Sequence, residues 1–234
     1  MAKLPKNNLK LVLFCGGAGT RMWPLGRAAK PKQFQPILSG KSTFELTILR
    51  LLKGFSPDQI FPVVPREYIG FVAELAPTVP LENIIIEPEL RDTFAAVGLA
   101  AAVLASKFGN CVVASLWSDH LIKNEKAFLA SFSAAAKLAK DEHKMVEIGV
   151  RPTFPSTQLG YMKVGKQVLT MNGLAVFEFL KQIEKPNLKE AVNFTKSWEY
   201  LWHVGYAVWE TSTLLGFYKR LQPQTFSILE KISQ

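Results

Sequence analysis

The residues of this sequence best suited to chemistry begin with a glycine-rich loop and a lysine that follows it. The apolar run Leu9–Cys15 leads into Gly16-Gly17-Ala18-Gly19-Thr20-Arg21, and Lys32 stands eleven residues after Arg21. Glycines let a backbone turn tightly and bring its N–H groups against phosphate oxygens, and an arginine guanidinium suits a pyrophosphate. The loop is neither a P-loop nor a dinucleotide fingerprint, because Met22 stands where a third glycine belongs and no Gly-Lys-Ser/Thr follows. A plain tight turn and a solvated surface lysine stay open as alternatives.

A carboxylate after a later apolar run could hold a metal ion. Asp119 follows the strand-like run Cys111–Leu116, and ligands of open α/β sheets bind beyond the carboxyl ends of the strands. An aspartate in that position can hold Mg²⁺ that bridges phosphate oxygens. The alternative is an aspartate that caps the next turn. His120, taken alone, is more typical of a packed or hydrogen-bonded histidine than of a metal ligand.

Two further polar segments could carry binding residues. Glu87-Pro88-Glu89-Leu90-Arg91-Asp92-Thr93 precedes the apolar run Phe94–Ala105, and either Asp92 or Thr93 could simply be the N-cap of that helix. Glu184-Lys185-Pro186 is a weaker pattern, because a proline after charged residues commonly just ends a strand.

Alternating strand and helix patterns must position these residues. The strand-like runs are Leu9–Cys15, Ile60–Val64, Ile84–Ile86, Cys111–Leu116 and Met145–Ile148. The helix-like segments between them are Thr43–Leu52, Phe94–Ala105 and Ala127–Ala139. This alternation predicts an α/β fold, Rossmann-like and doubly wound, with a mostly parallel sheet and helices on both faces.

The pattern changes after Val150, where prolines and glycines interrupt it. Short strands are predicted at Tyr161–Val164, Ala175–Ile183 and Tyr206–Trp209, and helices at Leu188–Phe194 and Ser212–Leu221. We interpret this part as a substrate-side β extension. We expect a single domain over residues 1–234, in which residues 1–150 form the alternating part and residues 151–234 the extension.

Composition and charge exclude several classes of protein. The chain has 28 Lys and Arg against 19 Asp and Glu, a net charge of +9, which favours an anionic partner. The basic residues are dispersed and no recognition motif appears, so a nucleic-acid-binding domain is disfavoured. Cys15 and Cys111 form no CxxC pair, which argues against a zinc site and for reduced thiols in the cytoplasm. No apolar run is long enough to span a bilayer, so we expect no membrane partner.

The motifs together resemble the sugar-1-phosphate nucleotidylyltransferases, most closely the mannose-1-phosphate guanylyltransferases. Gly16 to Leu25, with Trp23-Pro24-Leu25 at its end, and Pro31-Lys32-Gln33-Phe34 are similar to the signature of that branch. The resemblance implies that Arg21 and Lys32 neutralise the pyrophosphate. It also implies that the nucleotide phosphates are held by the loop residues Gly16, Gly17, Gly19 and Thr20.

The resemblance extends to the base-side loop and to the metal aspartate. The segment from Glu87 to Thr93 is similar to the family's Glu-Pro-x-x-Arg-Asn-Thr, which lines the nucleotide pocket and implies roles for Glu87, Arg91, Asp92 and Thr93. Asp92 stands where asparagine is usual, and an ionised aspartate only accepts hydrogen bonds. Ser118-Asp119-His120 matches the family's Ser-Asp-His, whose aspartate binds Mg²⁺.

On the sugar side the resemblance is close but carries substitutions. The stretch from Gly149 to Thr157 is similar to the family's Gly-Ile-x-Pro-Thr-x-Pro-x-Thr, and one of two Gly-Tyr pairs is present. Tyr200 to Gly205 parallels a Tyr-x-Trp-Asn-Ser-Gly segment, with a histidine in place of the asparagine that touches the sugar. Glu184-Lys185-Pro186 matches the family's Glu-Lys-Pro, whose glutamate contacts sugar hydroxyls and whose lysine meets the sugar phosphate. The resemblance therefore implies that the sugar phosphate meets Gly160, Tyr161, Glu184, Lys185 and His203.

The resemblance implies transfer of GMP from GTP to mannose 1-phosphate, with Mg²⁺ as cofactor and Arg21, Lys32, Asp119 and Lys185 as catalytic residues. Another sugar 1-phosphate, or a binding module without turnover, is the alternative. The family's domain continues to a second metal-binding aspartate, whereas no aspartate follows Asp141 here. We therefore expect a C-terminally truncated chain, a glutamate such as Glu184 or Glu210 in place of the aspartate, or weakened metal binding. The resemblance implies a single nucleotidyltransferase domain over residues 1–234, with a nucleotide-binding part at 1–150 and a sugar-binding part at 151–234 that is incomplete. A homodimer is left open.

Overall fold

The computed structural model describes residues 9–17 and 31–233, and in this part of the chain one mixed sheet is covered by helices on both faces. Its eight strands are β1 (Leu9–Phe14), β2 (Ile60–Pro65), β3 (Ile85–Glu87), β4 (Val112–Trp117), β5 (Val146–Val150), β6 (Gly160–Met171), β7 (Leu174–Ile183) and β8 (Tyr200–Glu210). The helices are α1 (Thr43–Leu51), α2 (Ile69–Leu75), α3 (Asp92–Phe108), α4 (Glu125–Glu142), α5 (Leu188–Lys196), α6 (Thr211–Leu221) and α7 (Pro223–Ser233).

Strand β1 lies in the interior of the sheet, between β2 and β4. The order is β3-β2-β1-β4-β8-β6-β7, and β5 also pairs with β8. Strands β1 to β4 are mutually parallel, whereas β8 is antiparallel to β4, β5 and β6, and β7 is antiparallel to β6. Strands β1 to β6 therefore run in one direction, and β7 and β8 run in the other. This confirms the predicted α/β class and its mostly parallel sheet.

Each face of the sheet has its own hydrophobic core, because successive side chains of a strand point to opposite faces. Leu11 and Leu13 of β1 face one core, together with Phe44 of α1 and Phe132 of α4. The intervening residues of β1 face a second core, formed with α3, α6 and α7 by Val12, Phe14, Ala100, Leu104, Leu214 and Leu229. The doubly wound arrangement follows from this division.

A third, smaller core holds the extension together. It consists of Tyr161, Ala191, Phe194 and Trp202, so α5 packs against β6 and β8. Helix α5 begins at a capping box, in which Asn187 and Glu190 accept each other's backbone N–H groups. The boundary between a nucleotide-binding and a sugar-binding part stays a prediction.

The extension differs most from the sequence-based assignment. Strand β6 runs on to Met171 and β8 begins at Tyr200, both longer than predicted, and α2 and α7 were not predicted. The residues beyond Val164 in β6 are mostly exposed, so they lack the alternating pattern that marks a half-buried strand. They are held by backbone pairing with β7, a contact that the local sequence does not reveal. None of the described helices combines the length and apolar character needed to cross a bilayer.

Candidate active site

The first two glycines of the loop follow the carboxyl end of β1, and Gly16 lies close to the segment that begins at Glu87. A side chain at Gly16 would bring its Cβ within 3.1 Å of Glu87 Oε2 and 3.3 Å of Leu90 Cδ2. Gly17 has a φ of 127°, a backbone conformation that favours glycine. Glycine is therefore favoured at position 17 by its backbone angle, and a side chain at position 16 would require Glu87 and Leu90 to shift slightly. The remaining loop residues with predicted roles, Gly19, Thr20 and Arg21, lie outside the described residues, and their roles stay predictions.

Lys32 is held beside the end of β1 by its neighbours in the chain. It begins a short 3-10 turn at Lys32–Phe34. The next residue, Gln33, is buried and its Nε2 donates a hydrogen bond to the carbonyl oxygen of Cys15. Phe34 anchors the other end by stacking on Phe71 with ring centroids 5.2 Å apart. The lysine is thus fixed to the first strand although it lies far from it in sequence.

The structure brings Lys32 and Asp119 into direct contact. Lys32 Nζ lies 2.7 Å from Asp119 Oδ2, and the two side chains are 27% and 39% exposed. Burial raises the pKa of the Asp119 carboxyl, but the hydrogen bond and charge of Lys32, with a smaller contribution from His120, outweigh it and lower the pKa overall. The carboxylate is therefore ionised at neutral pH. Asp119 lies two residues beyond β4, at the carboxyl end of the parallel strands.

A histidine and a tyrosine support Asp119 from the sheet side. His120 Nδ1 lies 2.6 Å from Tyr206 Oη, and its Nε2 lies 4.0 Å from Asp119 Oδ1. Burial lowers the pKa of His120 and raises that of Tyr206. The phenol is therefore protonated and donates to Nδ1 of a neutral imidazole, whose Nε2–H is directed toward Asp119. Tyr206 belongs to β8, so the antiparallel strand contributes to this group.

The base-side residues follow β3 and begin α3. Glu87 is buried at the end of β3, and burial raises the pKa of its carboxyl. Arg91 Nε donates to Glu89 Oε2 at 2.7 Å. Asp92 is the first residue of α3 and has a φ of 72°, and its Oδ1 accepts the N–H of Thr93 at 2.6 Å. A cavity of about 270 Å³ opens here, lined by Glu87, Pro88, Glu89, Arg91, Ala95 and Leu99.

On the sugar side, three of the five predicted residues share one surface. Gly160 of β6 pairs directly with His203 of β8. A Cβ at Gly160 would lie 2.7 Å from Glu184 Oε2 and 3.4 Å from the Cβ of His203. Lys185 is next in the chain, has a φ of 45°, and places Nζ 3.5 Å from Glu184 Oε1. A glycine at 160 is what allows the glutamate and the histidine to approach each other.

Tyr161 is placed differently from its neighbour. Its side chain is fully buried, its hydroxyl accepts the N–H of Ser156 at 2.9 Å, and its ring lies 5.3 Å from that of Phe194. Adjacent residues of a strand point to opposite faces. The Tyr161 ring is therefore in the third core and away from the surface of Gly160, where it holds the loop before β6.

Sequence reasoning missed Glu147 and misplaced Glu210. Glu147 of β5 places Oε2 3.4 Å from His203 Nε2, and its only sequence signal was a charged residue within an apolar strand. Glu210 pairs with Val112, the first residue of β4, whereas Asp119 follows the last. Seven residues along a strand span roughly 20 Å. The expectation that Glu210 could compensate for a missing metal ligand is therefore wrong.

The described residues contain no group of three or more His, Cys, Asp and Glu side chains that could hold a metal ion. Mg²⁺ is nevertheless commonly bound by one or two carboxylates together with substrate phosphates. The ionised Asp119 carboxylate beside the glycine loop fits such a site, in which the nucleotide would supply the other oxygens. Lys32 occupies one of its two oxygens here.

Comparison with known proteins finds relatives over most of the chain. The family model described as Nucleotidyl transferase matches residues 10–234. The chain is 32% identical over 232 residues to a mannose-1-phosphate guanylyltransferase of Escherichia coli strain K12, covering 97% of this chain and 48% of the relative. It is 33% identical over 222 residues to the xanthan biosynthesis protein XanB of Xanthomonas campestris, covering 94% and 46%. The chain thus spans about half the length of these curated relatives.

A solved structure from Thermus thermophilus, described as mannose-1-phosphate geranyltransferase, has a similar fold. The TM-score is 0.86 and the sequence identity 28%, and the match covers 97% of this chain and 64% of that one.

Proposed function

The chain belongs to the nucleotidyl transferase family, and from that premise we propose that it transfers GMP from GTP to mannose 1-phosphate. The products are GDP-mannose and pyrophosphate. A phosphate oxygen of the sugar 1-phosphate attacks the α-phosphorus of GTP, and the bond from that phosphorus to the bridging oxygen of the β-phosphate breaks. No covalent intermediate with the protein is required.

The contact between Lys32 and Asp119 is the observation that carries the proposal. It brings a cation and an ionised carboxylate together at the carboxyl end of the parallel strands, beside a glycine loop. Ligands of open α/β sheets bind at this edge. A triphosphate in this position would meet backbone N–H groups of the loop and the ammonium of Lys32. We assign Lys32, with Arg21, to stabilising the leaving pyrophosphate.

Asp119 is the residue that would hold Mg²⁺. When bound, the ion supplies neutralisation of phosphate charge at the reacting end of the nucleotide. Asp119 would exchange its contact with Lys32 for the ion, which frees the lysine for the phosphates. Tyr206 and His120 would keep the carboxylate oriented during this exchange.

The sugar 1-phosphate is assigned to the surface of Gly160, Glu184 and His203. The carboxylate of Glu184 can accept hydrogen bonds from sugar hydroxyls, and Lys185 can meet the phosphate. Positioning of this kind converts a reaction between two substrates into one within a single complex. Guanine is assigned to the cavity lined by Glu87 and Arg91. Asp92 follows Arg91 in the chain and would offer a carboxylate oxygen to the N–H groups of the base.

The experiment measures pyrophosphate release for each pairing of GTP, ATP, UTP and dTTP with mannose 1-phosphate and glucose 1-phosphate. We expect GTP with mannose 1-phosphate to give the highest kcat/KM. Asp119→Asn should lower it about a hundredfold or more, because an electrostatic anchor of the transition state is lost. Asp141→Asn is the matched control, since Asp141 is an exposed aspartate that pairs with Lys137 on its own helix.

Three outcomes would count against the proposal. Equal use of all four nucleotides would contradict selection of guanine, and a preference for glucose 1-phosphate would assign the site to another sugar. Binding of GTP without any pyrophosphate release would favour a nucleotide-binding module without turnover.

A further inference from the structure

Glu147 is a partly buried carboxylate that none of the motifs includes. It is the second residue of β5, opposite Ala207 of β8, and its side chain is 26% exposed. Its Oε2 atom is inaccessible to solvent and forms no hydrogen bond of regular geometry with any residue that the structure describes. Among the described residues, the group beside this oxygen is the imidazole of His203, with Nε2 at 3.4 Å. A buried carboxylate oxygen requires such a partner, because an unpaired buried charge is strongly unfavourable.

The opposite edge of the His203 ring is more accessible. Gln182 Nε2 lies 3.2 Å from His203 Nδ1. In this orientation the amide donates to Nδ1, so the ring proton is on Nε2 and is directed to Glu147. If the ring gains a second proton, the amide can turn end for end and present its oxygen to Nδ1–H. A ligand oxygen can replace the exposed amide at the same atom.

The groups that face His203 come from two other elements of the fold. Glu147 faces it from β5, and Glu184 and Gln182 face it from the end of β7. The Glu147 carboxylate, 3.4 Å away, raises the pKa of His203, burial opposes this, and the charge of Glu184 raises it further, so that the pKa is higher than usual. The ring therefore keeps its second proton to a higher pH than a free histidine does.

We propose that Glu147 is a positioning residue that holds the His203 imidazole against the sugar 1-phosphate, and that the pair determines which ligand oxygens this site accepts. The inference rests on the proposed function. The family segment that is similar to Tyr200–Gly205 has an asparagine in place of His203. An asparagine both donates and accepts hydrogen bonds, whereas an imidazolium only donates them. The pair therefore selects a hydroxyl or phosphate oxygen that accepts a hydrogen bond at Nδ1.

The affinity of this site for the sugar 1-phosphate should depend on pH. A raised pKa means that the donor at Nδ1 is present below the pKa of His203 and is lost as the pH rises through it. Affinity for the sugar 1-phosphate should decrease over that pH range, while affinity for GTP should not.

The first arm of the test measures the pKa of His203 directly by NMR. The sequence contains three histidines, so the ring signals are few, and His203→Asn identifies the one that belongs to residue 203. We expect Glu147→Gln to lower the pKa of His203. An unchanged His203 titration in Glu147→Gln would overturn the proposal.

The second arm measures KM for mannose 1-phosphate and for GTP as a function of pH. Glu147→Gln should raise KM for mannose 1-phosphate about tenfold, the typical effect of losing a hydrogen bond to a charged group, with KM for GTP unchanged. His203→Asn should abolish the pH dependence of the sugar KM, and Glu147→Gln should then add no further change. Glu178→Gln is the matched control, because Glu178 is a half-exposed carboxylate of β7 that pairs with Lys166.

The outcomes separate this inference from the proposed function. If the wild type transfers GMP and Glu147→Gln keeps the wild-type KM for the sugar, the inference alone is overturned. If the wild type releases no pyrophosphate with any sugar 1-phosphate, the proposed function is overturned and the inference with it. If Glu147→Gln raises both KM values equally, Glu147 has a general structural role and the inference is again overturned.

Discussion

At Asp119, burial and charge act on the pKa of one carboxyl group in opposite directions. Burial alone would favour the protonated form, and the ammonium of Lys32 at 2.7 Å reverses that preference. Lys32 and Asp119 therefore both stay charged although their side chains are partly buried. An ion pair this exposed adds little to the free energy of unfolding. We therefore interpret it as part of a preformed site for a charged ligand.

Replacing the lysine should impair the reaction while leaving the fold intact. We expect Lys32→Met to lower kcat/KM for pyrophosphate release about a hundredfold. Lys137→Met is the matched control, because Lys137 is an exposed lysine that also pairs with an aspartate, on the surface of α4. Equal activity of the two variants would show that the lysine at position 32 has no special part in the reaction.

Asp92 illustrates how a single backbone angle limits the choice of side chain. Its φ of 72° is in the left-handed region, which asparagine and aspartate tolerate better than other residues with a side chain. We expect Asp92→Asn to change the free energy of unfolding by less than about 0.5 kcal/mol. Asp92→Ala should lower the free energy of unfolding by about 1–2 kcal/mol. Alanine tolerates this φ less well and cannot accept the hydrogen bond from the Thr93 N–H. Urea denaturation of the three proteins measures this, and equal losses would contradict it.

At the scale of elements, β8 connects the two halves of the candidate site, to which we assign the nucleotide and the sugar 1-phosphate. Trp117, the last residue of β4, donates its indole N–H to the carbonyl oxygen of Gly205 at 3.0 Å. Tyr206, next in β8, supports His120, and His203 faces Glu147 and Gly160. A displacement of β8 would therefore disturb both halves of the candidate site.

Gly205→Ala tests this connection. Gly205 has a φ of 76°, and an added Cβ would collide with Trp117 Nε1. Gly40→Ala is the control, because Gly40 has the same φ but open space around it. We expect Gly40→Ala to cost about 1 kcal/mol from the backbone alone and Gly205→Ala about 2 kcal/mol more. Thermal denaturation and pyrophosphate release measure the two effects, and equal destabilisation would show that the contact with Trp117 is unimportant.

At the scale of the whole molecule, the sheet separates two cores, and each core contains one cysteine. Cys15 lies on the side of α1 and α4, and Cys111 on the side of α3, α6 and α7. Burial raises the pKa of both thiols, that of Cys111 to about 11. Only the thiolate is nucleophilic, so both should be unreactive while the fold is intact.

Thiol labelling therefore reports on each core separately. We expect neither cysteine to react with iodoacetamide at a mildly alkaline pH in native buffer, and both to react in denaturant. If the two layers unfold together, Cys15 and Cys111 should become reactive at the same urea concentration, as judged by mass spectrometry of their peptides. Reaction of one cysteine well before the other would show that its layer opens independently.

The sequence by itself was sufficient for the α/β class and for most strands of the parallel half. Strands such as Leu9–Phe14 are short apolar runs followed by glycine or polar residues, a local pattern that marks a buried strand. The motif residues Lys32 and Asp119 could be assigned to one edge of the sheet, because parallel strands end at the same edge.

Only the tertiary structure decided which side chains meet. Tyr161 lies in a core while Gly160 lies at the candidate site, because the pairing of β6 with β8 sets which face each residue occupies. Glu147 meets His203, and Glu210 lies at the far end of β4, because β8 runs antiparallel to β5 and to β4. The direction and register of strands distant in sequence are set by contacts across the sheet, which a local pattern of residues does not encode.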